Sequence, residues 1–332
     1  MLRVFLFLFF AGVCAAEEPA PSSTVFFAQN EAAISGYDEN GPLVRRMVEA
    51  LVVAATGKTN ATDAWRSLAQ PSDRVGIKIS ASGGVLFSTH KAIVRTIADG
   101  LSRVGVRNII VWDRADMAAA GFRTNDYIVR EVEPVTGYDP KAIFSSPMMG
   151  KLIWGDAMFV QREKKIANRI EPDQISDESH WSRVLGEVTK IINVPVLSTE
   201  EHCGVAGCLY NATIPNVDNW RRFVQAPDTI CDLYRDPRIQ PKVVLNIVDG
   251  LIAQFAGGPG FQPNYAWAHA TIYASKDPVA LDATILREID IWRAQSQLPS
   301  IAKRSSYLET AEQMRIGNSA RERIELKNVE VR

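Results

Sequence analysis

The sequence predicts an α/β fold in which helices cover a mostly parallel β-sheet. Short runs of β-branched and other apolar residues alternate along the chain with amphipathic segments of helical period. The cores of these runs (VGIKI, IIVW, KIINV and VVLNIV) are almost continuously apolar, which is typical of strands that are buried on both faces. A hydrophobic content of 46% supplies enough apolar side chains for a large core.

These patterns predict six strands and four helices. The predicted strands are Thr24–Ala28, Arg74–Ile79, Asn108–Trp112, Lys190–Val194, Lys242–Val248 and Thr271–Ala274. The predicted helices are Pro42–Ala55, Lys91–Val104, Pro278–Gln297 and Ser305–Met314. Residues 121–177 mix Pro, Gly and short apolar pieces without a period, and we expect an irregular inserted region there.

The N-terminal segment Met1–Ala16 has the three parts of a secretory signal. Arg3 precedes an apolar run, Val4–Val13, and small residues follow at Ala15 and Ala16. The run is too short to span a bilayer, which takes about 20 apolar residues. We therefore expect an exported protein, periplasmic or extracellular, with a single domain over residues 17–332 and no membrane anchor after cleavage.

The net charge and the number of cysteines limit which partners the protein can have and which disulfides it can form. A net charge of −1 argues against a nucleic-acid partner, which would require a basic surplus. Removal of the signal also removes Cys14 and leaves Cys203, Cys208 and Cys231. An odd number of cysteines in an oxidising compartment permits one disulfide and leaves one thiol over. No feature of the sequence specifies an oligomeric state.

Polar side chains follow five of the predicted strands at the point where each strand ends. Ligands of open parallel sheets bind beyond the carboxyl ends of the strands, so these residues predict a cleft for a small polar or anionic molecule. The ligand-binding candidates are Lys78, His90, Asp113, Arg114, Gly257, Gly258 and Asp282. The catalytic candidates are His202, Cys203 and Asp249. The fifth strand contributes Ser275–Asp277. The plain alternative is that each residue is an ordinary cap or turn residue.

The segment His202–Cys208 carries the most reactive side chains of the set. Imidazole and thiolate are ligands of zinc and of iron–sulfur clusters, and a set of His202, Cys203, Cys208 and Cys231 is a candidate metal site. The spacing does not match a zinc ribbon. A Cys203–Cys208 disulfide is the plainer alternative in an exported protein.

Two further elements have both a functional and a structural interpretation. The loop around Gly257 and Gly258 could let the backbone approach an anion, although tight-turn geometry alone explains it. Asp277 is best interpreted as a helix N-cap. Asp282 lies one turn later and is expected to point back toward the strand ends.

In this order, the motifs resemble a known family. The runs DAWRSLAQPSDRVGIKIS, NIIVWDR, KIINVPVL, VVLNIVDGL and SKDPVALD, with Thr89-His90 and a Gly-Gly-Pro loop, are similar to the domain-of-unknown-function-362 family. They look most like its exported bacterial branch, which lacks a fused ferredoxin domain, and the resemblance covers about Val25 to Gly317. Relatives with fused iron–sulfur modules imply a redox setting.

The chain departs from the family pattern at two positions. Relatives usually place lysines where Thr199 and Tyr210 stand, so this chain lacks two anion contacts that the resemblance implies. Cys231 falls where the exported branch tends to have a cysteine, which favours a role beyond packing.

Three hypotheses follow. The leading one is an exported redox or metal-assisted enzyme acting on a small polar or anionic ligand, with His202 as general base or metal ligand and a metal ion or iron–sulfur cluster as candidate cofactor. The second is a non-catalytic exported protein that binds a metal, cofactor or small molecule in the same cleft. The third is a structural protein with a vestigial site, in which the strand-end residues would be scattered in space.

Overall fold

The computed structural model describes residues 22–114, 117–123, 127–145, 178–223 and 226–331. The strands within these ranges are β1 (Ser23–Gln29), β2 (Ile34–Ser35), β3 (Asp38–Glu39), β4 (Arg74–Ile79), β5 (Asn108–Asp113), β6 (Ile128–Glu131), β7 (Tyr138–Ser145), β8 (Glu178–Ser182), β9 (Lys190–Val194), β10 (Thr199–Glu200), β11 (Gly204–Val205), β12 (Val243–Gln254), β13 (Ala266–Ser275) and β14 (Ile324–Asn328). The α-helices are α1 (Gly41–Thr56), α2 (Ala61–Leu68), α3 (Lys91–Arg103), α4 (Val184–Glu187), α5 (Cys208–Thr213), α6 (Thr229–Tyr234), α7 (Pro278–Gln295) and α8 (Tyr307–Gln313).

Eight of these strands form one sheet in the order β14-β1-β13-β12-β9-β4-β5-β6. Seven of the eight run in the same direction, and β13 alone is antiparallel to both of its neighbours. The sheet is therefore mostly parallel, as the sequence predicts. Its strands come from both ends of the described chain. The prediction of a single domain over residues 17–332 stays a prediction.

Helices cover both faces of the sheet because the strand side chains alternate between two cores. Val75, Ile77 and Ile79 of β4 contact one core, which also holds Met47 of α1 and Ile93 of α3. The other core contains side chains of β5 and β12 together with those of α5, α6, α7 and α8. Nearly continuous apolar strands are the consequence of this two-sided burial.

The sequence located the central elements, although β12 continues six residues past its predicted end and β13 begins five residues before its predicted start, and several peripheral elements were missed. All six predicted strands and all four predicted helices are present. The predicted irregular region is wrong for residues 128–145, since β6 joins the edge of the main sheet and β7 pairs with β8. The exposed faces of these short strands weaken the apolar pattern that would reveal them. Residues 146–177 lie outside the described residues.

The predicted signal peptide, Met1–Ala16, also lies outside the described residues. Within the part of the chain that the structure describes, no helix combines the length and apolar character needed to cross a membrane.

Candidate ligand-binding cleft

Four of the five polar strand ends meet at one edge of the sheet. β4, β5, β9 and β12 are parallel, so their carboxyl ends share an edge. The expectation that Ser275–Asp277 joins them is wrong, because β13 runs the other way. Asp277 accepts a hydrogen bond from Ser23 at the start of β1, and it caps α7 through the N–H groups of Val279 and Ala280.

A cleft opens at the shared edge, and we call it the polar cleft. It spans about 430 Å³, including space open to solvent, between the ends of β4 and β5, the segment around α5 and the glycine-rich loop, and about 70 Å³ of it admits a water-sized molecule. Its lining residues are Ser80, Ser82, Asp113, Arg114, Ala206, Tyr210, Asn211, Pro215 and Pro259. The predicted candidates Asp113 and Arg114 thus lie on its wall, as does Tyr210.

Lys78 lies beneath this cleft as one half of a buried ion pair. Its side chain is 0% exposed, and its Nζ donates to Asp113 Oδ1 at 2.8 Å and to Asn211 Oδ1 at 3.2 Å. Burial lowers the pKa of Lys78, and the Asp113 carboxylate opposes this shift. Asp113 also accepts the backbone N–H groups of Ala81 and Arg114. The positive charge of Lys78 is therefore engaged within the protein.

A row of buried amides continues from Lys78 across the sheet. Lys78, Asn193 and Asn246 occupy matching positions on β4, β9 and β12. Asn193 Nδ2 donates to Asn246 Oδ1 at 2.9 Å, and Asn211 Nδ2 donates to Asn193 Oδ1 at 2.8 Å. Asn246 Nδ2 is buried and has no partner among the described residues. This row was not among the predicted site residues, although an asparagine inside an apolar strand core (KIINV, VVLNIV) is the signal that reveals it.

Arg114 is the cation that faces the polar cleft. Its guanidinium lies 4.8 Å from the centre of the Trp220 ring, and its Nη1 donates to the carbonyl oxygen of Ile214 at 3.4 Å. No carboxylate among the described residues forms an ion pair with it. The side chain is half-buried, packs against the Trp220 ring and also hydrogen-bonds with the Tyr138 hydroxyl. A guanidinium has five N–H donors, so donors remain for a ligand.

His90 and Asp249 form a second pair at the same edge, on the side of α3. The Asp249 carboxylate accepts from the His90 backbone N–H at 2.6 Å and pairs with His90 Nδ1 at 2.8 Å. Burial alone would lower the pKa of His90, but Asp249 and Glu39 outweigh it and the pKa is raised. Neither residue is on the wall of the polar cleft.

His202 is paired with Glu200 in the hairpin formed by β10 and β11. Glu200 accepts from the backbone N–H groups of His202 and Cys203, at 2.7 and 2.8 Å, and from His202 Nδ1 at 3.0 Å. The His202 side chain is 40% exposed. Pairing through Nδ1 leaves Nε2 as the ring nitrogen that can exchange a proton with a ligand.

The three described cysteines are free and buried, so the predicted Cys203–Cys208 disulfide is wrong. Cys203 Sγ donates to the carbonyl oxygen of Val205, and Cys231 Sγ donates to that of Tyr307. Burial raises the pKa of the Cys203 thiol, with the Glu200 carboxylate adding to the shift. Burial likewise raises the pKa of Cys208, and raises that of Cys231 to about 12. Thiols with raised pKa values are poor nucleophiles, because little thiolate is present at neutral pH.

The candidate metal set is not assembled. Among the described residues, no three His, Cys, Asp or Glu side chains stand close enough to hold a metal ion, and this includes His202, Cys203, Cys208 and Cys231. The physical reason is that all three thiols are buried in the core, where Cys203 and Cys231 donate to backbone carbonyls and Cys208 contacts Asp282, while His202 is turned toward Glu200.

Gly257 and Gly258 shape the loop that borders the cleft. Gly257 has a φ of +74°, which favours glycine. A Cβ on Gly258 would lie 2.1 Å from the carbonyl oxygen of Thr199, and the Gly258 N–H donates to Thr199 Oγ1 at 3.1 Å. Thr199 thus anchors the loop, and the neighbouring Pro259 lines the cleft.

Asp282 points back toward the chain that follows β9, as the sequence predicts, but it contacts backbone and not the cleft. It accepts from the N–H groups of Cys208 and Leu209 at the start of α5, at 2.5 and 3.0 Å. Gly207 permits this approach, since a Cβ there would lie 2.2 Å from Asp282 Oδ1. Burial raises the pKa of Asp282 to about 7, against the lowering effect of the two N–H groups.

Comparisons with known proteins show the family and no specific activity. No curated protein matches the chain. A crystal structure of a protein from Thermotoga maritima aligns over 80% of this chain with a TM-score of 0.43 and 11% identity, and the chain spans 61% of the length of that structure. The sequence profile described as "Domain of unknown function (DUF362)" matches residues 75–287. Since this match covers more than half of the chain, the protein belongs to that family.

Proposed function

We propose that the polar cleft binds a small organic anion, a carboxylate or a phosphate ester, through Arg114. The observation that carries the proposal is a half-buried guanidinium that faces the cleft and has no carboxylate partner among the described residues. A cation removed from bulk water without a counter-charge favours an anionic ligand, and a guanidinium presents a planar fork of donors to carboxylate or phosphate oxygens.

The remaining lining residues suit the same ligand. Ser80 and Tyr210 line the cleft with hydroxyl-bearing side chains, whereas the Ser82 hydroxyl donates to the carbonyl oxygen of Pro259. Asp113 also lines the cleft, but its carboxylate is engaged by Lys78 and by two backbone N–H groups. Its negative charge is therefore balanced and opposes an incoming anion less than a free carboxylate would.

The pair of Glu200 and His202 supports a catalytic form of the proposal. A histidine oriented by a carboxylate through Nδ1, with Nε2 free, is the arrangement of a general base. In this form the bound anion is a substrate, and His202 removes or returns its proton. Replacing His202 with Gln would then abolish turnover while leaving anion affinity within about twofold. The redox or metal-assisted form has weaker support, since the thiol pKa values are raised and no three-donor group occurs among the described residues.

Anion binding is tested by ligand-observed NMR titration with acetate, inorganic phosphate and phenyl phosphate. We expect saturable binding that Arg114→Gln weakens about tenfold or more, the effect of losing a charged hydrogen-bonding partner. Arg221→Gln is the matched control, because Arg221 also stacks on Trp220, at 5.4 Å, but is exposed and absent from the cleft wall. Equal affinities of the wild type and Arg114→Gln would refute the proposal.

We also propose that the protein works outside the cytoplasm, on the basis of the composition of Met1–Ala16. Mass spectrometry of the secreted or periplasmic protein should find an N-terminus that follows Ala15 or Ala16. Recovery of the intact N-terminus in the cytoplasmic fraction would contradict export.

A further inference from the structure

We propose that the ligand of this protein is an anion that carries an apolar group, and that a second cleft binds that group. The inference rests on the proposed function for its anionic end and adds the chemical class of the remainder. The second cleft, which we call the apolar cleft, is a narrow depression that spans about 280 Å³ including space open to solvent, of which about 20 Å³ admits a water-sized molecule. Its lining residues are Glu200, His202, Cys203, Tyr210, Ile214, Trp220, Phe223, Pro227 and Ile230.

The two clefts share a wall. Tyr210 lines both of them. Arg114 of the polar cleft lies against the ring of Trp220 and bonds to the carbonyl oxygen of Ile214, and both of these residues line the apolar cleft. An anion held by Arg114 is therefore next to an apolar surface, and a group attached to that anion has a place to bind.

The charges in the apolar cleft oppose a second anionic group. The described lining has one carboxylate, that of Glu200. It accepts hydrogen bonds from the backbone N–H groups of His202 and Cys203 and pairs with the His202 ring. The described lining includes no Lys or Arg. A ligand with one anionic end and an apolar body therefore matches both clefts, whereas a dianion of the same length would place its second charge near Glu200 without a cation to pair with.

A chain-length series tests this inference on the full protein. We would titrate acetate, butanoate and hexanoate, with the corresponding alkyl phosphates as a second series, and use hexanedioate as a control of equal length. If the apolar cleft receives the tail, affinity should rise about threefold to fourfold for each added methylene until the cleft is filled. Hexanedioate should bind more weakly than hexanoate. The series that binds more tightly at the same chain length identifies the anionic group.

Two variants test whether the apolar cleft causes the rise in affinity with chain length. Pro227→Asp introduces a charge at a half-buried position of the apolar cleft, and Phe223→Ala removes part of its wall, so each should flatten the dependence on chain length. The control Arg221→Gln should keep the wild-type dependence.

The titrations of the wild-type protein test both the apolar-group inference and the anion site, even if a variant does not fold. Equal affinities for acetate and hexanoate, with binding that still requires Arg114, would overturn the apolar-group inference and leave the proposed anion site standing. A complete lack of anion binding would instead overturn the proposed function on which it rests.

Discussion

The buried pair of Lys78 and Asp113 shows how strongly the surroundings of a residue set the strength of an ion pair. Both side chains are almost fully removed from water, at 0% and 6% exposure, and each has further hydrogen bonds. Replacing one member leaves the other buried and uncompensated, and this costs far more than loss of a surface pair. Arg66 and Asp63 form such a surface pair, with side chains about half exposed.

We expect Lys78→Met to lower the free energy of unfolding by about 3 kcal/mol or more, because it leaves the Asp113 carboxylate buried without its cation. Arg66→Met should cost less than about 1 kcal/mol. Urea denaturation measures both. A loss for Lys78→Met no larger than that for Arg66→Met would show that the buried pair contributes little.

Asp282 predicts a pH dependence of stability whose direction follows from its pKa. The folded-state pKa of about 7 lies above the unfolded value of 3.8, so the folded protein holds the proton more tightly. The stabilisation is fully present below the unfolded pKa and is lost as the pH rises through about 7. Urea denaturation of the wild type between pH 5 and 8 measures this effect. The contribution of Asp282 to the free energy of unfolding should fall as the pH rises, by at most about 1.4 kcal/mol per pH unit.

The variant Asp282→Asn isolates this contribution. Asparagine retains one acceptor for the N–H groups of Cys208 and Leu209 but does not titrate. The free energy of unfolding of the variant should depend less on pH across the same range. His90, whose pKa is also raised, is present in both proteins and cancels in the difference. Parallel pH profiles would show that Asp282 does not titrate in this window.

Among the elements, α7 depends on a cap that the sequence identified correctly. Asp277 accepts from the N–H groups of Val279 and Ala280, and additionally from Ser23 and the Asn318 N–H. Loss of an N-cap typically costs about 1 kcal/mol, and here two further donors lose their acceptor.

We therefore expect Asp277→Ala to lower the free energy of unfolding by about 2 kcal/mol. The matched control Asn60→Ala removes the exposed cap of α2 and should cost about 1 kcal/mol. Anion affinity of Asp277→Ala should equal that of the wild type, because Asp277 lies at the edge of the sheet opposite the polar cleft. A parallel loss of anion affinity would place Asp277 in the site after all.

The direction of β13 marks the limit of what sequence periodicity could predict. The run from Thr271 to Ala274 predicts a strand correctly, but an apolar run has the same composition in either direction. The carboxyl ends of β4, β5 and β9 lie together with the Asp249 position within β12, and this was predictable because parallel strands place their carboxyl ends at one edge of the sheet.

At the scale of the whole molecule, the sequence supplied the residue types of the site but not their pairing. Arg114 and Asp113 are neighbours in the chain, yet Asp113 turns inward to Lys78 while Arg114 turns outward over Trp220. The apolar cleft was not predictable, because Tyr210, Trp220 and Ile230 come from three separate segments. Their convergence depends on how α5 and α6 pack, which no local pattern encodes.

The three buried cysteines determine how the whole protein responds to reductants and to alkylating reagents. Cys203, Cys208 and Cys231 are free thiols, each at most 3% exposed, and burial raises the pKa of every one of them. No disulfide constrains the described part of the chain, so a reductant has no bond to break there. We expect the thermal unfolding temperature to be the same with and without dithiothreitol.

The thiols of the native protein should also resist alkylation by iodoacetamide at pH 8, because the thiolate that reacts is scarce and shielded from solvent. Alkylation in urea followed by mass spectrometry supplies the control, in which all three sites should react. A drop in unfolding temperature on reduction, or alkylation of Cys203 in the native state, would show that a cysteine is more accessible than its position in the core implies.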